Sequence, residues 1–96
     1  MIKISGKEFP FRFALKAQRE LSSLEDTSKV DDVYLIYLGL KYGALDEGLK
    51  WEYTEDEILD LLEKDMDAFE KCCELLGRDM ASLKKKRAKA MNVLLE

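Results

Sequence analysis

The sequence predicts an α+β domain, mainly helical, with one N-terminal β-hairpin packed on a cluster of four or five helices. Three observations predict it. Apolar residues alternate on both sides of a Ser-Gly break within the first thirteen positions, and from Ala14 onward they recur every three or four residues. Hydrophobic residues at 47% and charged residues at 38% of 96 positions are enough for one core with a solvated surface. A chain of this length is expected to form one domain.

The hairpin is read from Ile2-Lys3-Ile4, Ser5-Gly6 and Lys7-Glu8-Phe9-Pro10-Phe11-Arg12-Phe13. A side-chain period of two puts Ile2 and Ile4 on one face and predicts Phe9, Phe11 and Phe13 together on one face of the second strand. Gly6 can take the positive φ of a tight turn. Pro10 has no N–H to donate, so its strand is expected at an edge or with a bulge. A two-stranded hairpin is marginal alone, so helices must cover it.

Ala14, Ala17, Leu21 and Leu24 mark the apolar side of a first helix. Ser28, Asp31 or Asp32 can cap a second one, which runs through Val33, Tyr34, Leu35, Ile36, Tyr37, Leu38 and Leu40 and is apolar almost all round. Such a segment belongs in the middle of a small domain, because it has no face left for water. Gly43 to Gly48 is expected to be a turn-rich linker, followed by an extended or irregular stretch through Leu49, Trp51 and Tyr53. Thr54-Glu55-Asp56-Glu57 carries the capping-box pattern for a third helix with the stripe Ile58, Leu59, Leu61 and Leu62. A break at Lys64 to Asp67 precedes a fourth helix bearing Phe69, Cys72, Cys73 and Leu76. Gly77 either ends that helix, with Asp79 capping a fifth, or sits inside one longer helix at a cost of about 1 kcal/mol. The expected organisation is a compact unit over 1–79 and a basic C-terminal helix or tail over 80–96.

Several kinds of chemistry are excluded. The chain has no histidine, which removes Ser-His-Asp and Cys-His catalysis and the Cys/His zinc sites. Cys72 and Cys73 are adjacent; they read as core-facing thiols, neither spaced to clasp a metal nor placed to bridge each other on a helix. Asp56 with Asp60, and Glu63 with Asp67, have the spacing of one helical turn but read as exposed faces. Gly39 and Gly43 are isolated among apolar residues and form no phosphate loop. Trp51 and Tyr53 read as packing over the helices in preference to a binding face. The expectation is a protein with no enzymatic activity, no cofactor and no metal.

Charge is unevenly divided. Residues 1–53 carry 8 basic and 9 acidic groups, 54–79 carry 3 and 10, and 80–96 carry 5 and 1, so an acidic helical region precedes a basic end. That split permits self-association head to tail, or simply two solvated faces. The basic end lacks aromatic side chains for base stacking and bulky anchors for a bilayer, so no nucleic acid and no membrane is expected. No apolar run approaches the roughly 20 residues of a membrane span, and the N-terminus lacks a secretory signal's pattern, which points to the cytoplasm. A protein-binding helix fits the basic end best. Met80, Leu83, Met91 and Leu94 would supply apolar contact, and Lys84, Lys85, Lys86, Arg87 and Lys89 would meet acidic helix faces.

The order of these elements resembles a family. Residues 2–9 (Ile-Lys-Ile-Ser-Gly-Lys-Glu-Phe), Ala17-Gln18-Arg19-Glu20-Leu21, residues 35–42 (Leu-Ile-Tyr-Leu-Gly-Leu-Lys-Tyr) and the capped acidic helix from Thr54 to Leu62 are together similar to the small tail assembly chaperones of long-tailed bacteriophages and prophages. The likeness covers most of residues 1–76. It implies a non-enzymatic role in the bacterial host cytoplasm: binding the long, helical tape-measure protein, keeping it soluble, and helping to recruit the tail-tube protein. It also implies a longer form made by ribosomal frameshifting, and an A-rich slippery run would encode Lys84-Lys85-Lys86. The alternative class is a small helical protein-binding adaptor or antidote-type regulator, with DNA binding behind it.

Overall fold

The computed structural model describes residues 1–28 and 30–95, the side chains of 92–95 excepted. It shows an antiparallel hairpin packed against four helices: β1 (Ile2–Ile4), β2 (Lys7–Phe9), α1 (Leu15–Ser22), α2 (Asp32–Asp46), α3 (Glu55–Glu63) and α4 (Met66–Leu95). Ile2 faces Phe9 and Ile4 faces Lys7, so Ser5 and Gly6 form a two-residue loop with φ of 47° and 83°. Positive φ at both positions matches the twist of the flanking strands. Ser5, which carries a Cβ, is held there from outside the hairpin: its N–H donates to Asp65 Oδ2 at 3.0 Å and its hydroxyl donates to the Leu61 carbonyl at 3.0 Å.

β2 is shorter than its apolar alternation predicts. Pairing stops at Phe9, because Pro10 has no hydrogen to offer and the chain turns from the sheet onto α2 and α4. The Arg12 N–H donates to the Gly39 carbonyl at 2.9 Å, and the Phe13 N–H donates to Asp79 Oδ2 at 3.0 Å. Phe9 and Phe13 are buried while Phe11 is half-buried against the core, so the three rings do not share one strand face.

α1 buries Ala17 and ends at Ser22, which leaves Leu24, expected on its stripe, beyond the helix. α2 starts at the Asp31 cap, whose carboxylate accepts the Tyr34 N–H at 2.9 Å. It occupies the central position foreseen from its all-round apolar character, packing against β2, α1, α3 and α4 with Ile36, Leu38 and Leu40 wholly buried. The linker expected from Gly43 is instead the last turn of α2, which continues to Asp46 because Gly43 and Ala44 are buried. Gly43 has a packing role: a Cβ there would lie 2.7 Å from the Pro10 carbonyl group, so only glycine lets the segment after β2 cross the helix so closely. Gly48, at φ 75°, turns the chain after the helix.

Residues 49–54 have no regular secondary structure, and Trp51 and Tyr53 pack edgewise on Phe9 with ring centroids 6.2 and 5.4 Å away. The Thr54 hydroxyl accepts the Glu57 N–H and the Glu57 carboxylate accepts the Thr54 N–H, both at 3.2 Å, completing the capping box that starts α3. α3 buries Ile58 and Leu62. Asp65 then caps α4, its Oδ1 accepting the Ala68 N–H at 3.2 Å.

α4 runs unbroken through Gly77, so among the described residues there are four helices and no cap at Asp79. At 1.5 Å per residue its 30 residues span about 45 Å, which accounts for the 49 Å long axis of the molecule. Its first half buries Ala68, Cys72 and Leu76 in the core; from Lys84 to Met91 every residue is exposed. Among the described residues no helix is long and apolar enough to cross a membrane.

Candidate protein-binding groove

Where α4 outruns the core, its inward face looks across a gap to the exposed side of α1. The α4 face contributes Met80, Leu83, Lys84, Lys86 and Arg87, and the facing wall is made by Arg12, Ala14, Leu15 and Gln18. Two hollows of about 400 and 430 Å³ share Gln18, Leu83 and Arg87 and so form one continuous trough. Leu15 is 75% exposed and Met80 39% exposed, an apolar floor open to solvent.

Both walls are anchored. Asp79 accepts the Phe13 N–H, which ties α4 to the segment leading into α1, and also pairs with its neighbour Arg78 on the same helix at 3.1 Å. On the other side, Glu20 Oε1 accepts from Lys41 Nζ and from the Tyr42 hydroxyl, both at 2.9 Å, which locks α1 against α2. The hydrogen bond from Lys41 to Glu20 holds that ammonium group above its usual range, and burial raises the Tyr42 hydroxyl. Arg12 and Lys16 share Asp46, at 3.2 and 3.3 Å. Lys84, Lys86 and Arg87 make no ion pair with any described residue.

Of the residues singled out from sequence, Met80, Leu83, Lys84, Lys86 and Arg87 are brought together. Lys85 and Lys89 do not line the trough: two positions beyond Leu83, Lys85 falls on the opposite side of a 3.6-residue helix, and Lys89 lies beyond Arg87, the last residue to line it. Met91 is 55% exposed and lies beyond the trough, and the side chain of Leu94 is outside the described residues. Arg12, Ala14, Leu15 and Gln18 were not foreseen. The available signal was Leu15, a large apolar residue off the Ala14, Ala17 and Leu21 stripe.

The other polar groups are structural. Burial pushes the Cys72 thiol up to about 12 and also raises Cys73, so both stay protonated and poorly nucleophilic at neutral pH. Glu63 ends α3 and Asp67 lies in the first turn of α4, so they are not one turn apart on one helix. No group of three or more His, Cys, Asp or Glu among the described residues has the placement to hold a metal ion. Trp51 and Tyr53 pack against the core, with Lys7 Nζ 5.3 Å over the Tyr53 ring.

The fold and trough define a hairpin-and-helix domain with an open apolar channel along one projecting helix, edged by Lys84, Lys86 and Arg87, which pair with no described residue. No family model matches the chain, and neither curated proteins nor solved structures give a match.

Proposed function

We propose that the protein is a tail assembly chaperone of a long-tailed phage or prophage, which binds the tape-measure protein through the α1–α4 trough and assists addition of the tail-tube protein. The observation that carries this reading is the trough itself: exposed Leu15 and Met80 and half-buried Leu83 beside three cations that pair with no described residue. The pattern of residues 2–62 supports it independently through its resemblance to the tail chaperones. Other apolar side chains are exposed singly, Met1, Leu45, Leu49, Met66 and Met91 among them, whereas Leu15, Met80 and the half-buried Leu83 are gathered in one trough, and gathered apolar surface is a mark of an interaction site. A long helical client exposes stripes of the same character, and many small charged copies bound along it would prevent those stripes from meeting each other. The work asked of the protein is reversible covering of surface, which needs no bond to be made or broken.

Co-expression with the tape-measure protein of the same gene cluster tests it. The soluble yield of that long protein is expected to rise several-fold in the presence of the chain. An unchanged yield, with both proteins expressed, overturns the reading. A gene neighbourhood without tail-tube and tape-measure genes would count equally against it.

A further inference from the structure

We infer that the α1–α4 trough selects one amphipathic helix whose apolar stripe is flanked by Asp and Glu residues. The inference rests on the trough being the client surface and adds the chemistry by which it chooses a segment. A channel between two helices accepts side chains repeating at i, i+3, i+4 and i+7, the ridge of a third helix. Leu15 and Leu83 give the floor a defined apolar shape, and Met80 adapts to side chains of different size.

Charge complementarity decides the flanks. Lys84, Lys86 and Arg87 edge the trough without a described carboxylate to neutralise them, and Lys85 and Lys89, on the same stretch of α4 but outside the trough, add to the same positive field. Carboxylates flanking the incoming stripe would pair with the rim, whereas lysines there would face like charge. A second folded copy does not offer such a helix from α3. That helix carries Glu55, Asp56, Glu57 and Asp60, but of its apolar residues Ile58 and Leu62 are buried in its own core and Leu59 and Leu61 are half-buried, which leaves no exposed apolar stripe.

The test uses the full chain and two helix-stabilised, dye-labelled peptides with the same leucine stripe, one flanked by Glu and one by Lys, followed by fluorescence anisotropy. The Glu peptide is expected to bind about tenfold tighter or more, with an advantage that shrinks as salt rises. The combined variant Lys84→Glu, Lys86→Glu, Arg87→Glu should reverse the preference, and Leu15→Asp should weaken both peptides. Leu15 and these three cations lie outside the buried core, and an unchanged circular dichroism melt verifies that each variant is folded. Equal affinities, or a preference that survives the triple variant, overturn the proposal. So does sedimentation showing an oligomer that the triple variant dissolves, since a second copy would then be the occupant. If the tape-measure protein is solubilised but neither peptide is preferred, selection by charge falls and the chaperone reading stands. If the Glu peptide is preferred but the tape-measure protein stays insoluble, the chaperone reading falls and the trough's selectivity stands.

Discussion

Two glycines, both inside helices, are expected to respond oppositely to alanine because one is crowded by backbone and the other faces open space. At Gly43 the added Cβ would sit 2.7 Å from Pro10 backbone atoms and 2.9 Å from the Phe11 Cα, and backbone cannot swing aside as a side-chain tip can. Gly43→Ala should therefore lose about 1–3 kcal/mol in urea unfolding, the usual cost of overpacking. At Gly77 nothing lies within 4 Å, so Gly77→Ala should gain up to about 1 kcal/mol from helix propensity alone. Asp65 makes a third prediction. Hydrogen bonds from the Ser5 N–H, and next from the Ala68 N–H, hold its carboxyl below the usual range. The ionised form is thus favoured by folding, so its contribution is complete above the unfolded carboxylate pKa of about 4 and is lost as pH falls through the lower folded value. Asp65→Asn should destabilise the protein at pH 7, and the gap to the parent should narrow in urea titrations carried out below about pH 4.

At the scale of elements, the signals that held were those in which one local arrangement satisfies the backbone. The Thr54 capping box is legible as Thr-x-x-Glu because both reciprocal bonds lie within four residues. Thr54→Ala should cost about 1 kcal/mol, measured by thermal or urea unfolding, with the loss of protection concentrated in the first turn of α3. The hairpin turn was equally legible, from Ser5-Gly6 between alternating apolar residues. The boundaries that moved are those set by packing at a distance. β2 stops at Phe9 because the following segment finds partners on Gly39 and Asp79. α2 passes through Gly43 because that glycine is the floor on which Pro10 lies, a contact between positions 33 apart that no local pattern expresses. α4 passes through Gly77 because the turns on either side, around Leu76 and Leu83, are anchored to the core.

For the whole molecule, the position of α4 relative to α1 determines whether a trough exists. One side chain, Asp79, joins them by accepting the Phe13 N–H. Asp79→Ala leaves that amide without its carboxylate partner, so hydrogen exchange at Phe13 should accelerate sharply while the amides of Ile36 and Leu38 in the central helix remain protected. Half the trough was readable beforehand: Met80, Leu83 and the basic cluster stand together in sequence because they are successive turns of one helix. The other half was not, since Arg12, Ala14, Leu15 and Gln18 reach the same place through the crossing of the chain over α2. Of the basic cluster, Lys84, Lys86 and Arg87 edge the trough on its two sides, whereas Lys85 points away from Leu83 and Lys89 lies past the trough's end.

By itself the amino-acid order determined the α+β class, the hairpin with its two-residue turn, the capped third helix, the central place of the apolar helix and the basic character of the C-terminal segment. These follow from periodicity, from caps and turns closed within a few residues, and from composition, all of which act along the chain. Only the tertiary structure decided where β2 ends, that Gly43 and Gly77 lie within helices, and which cations face the trough. Each of those depends on atoms brought together from distant positions, and there the free energy of close packing and of satisfying an isolated N–H outweighs local preference.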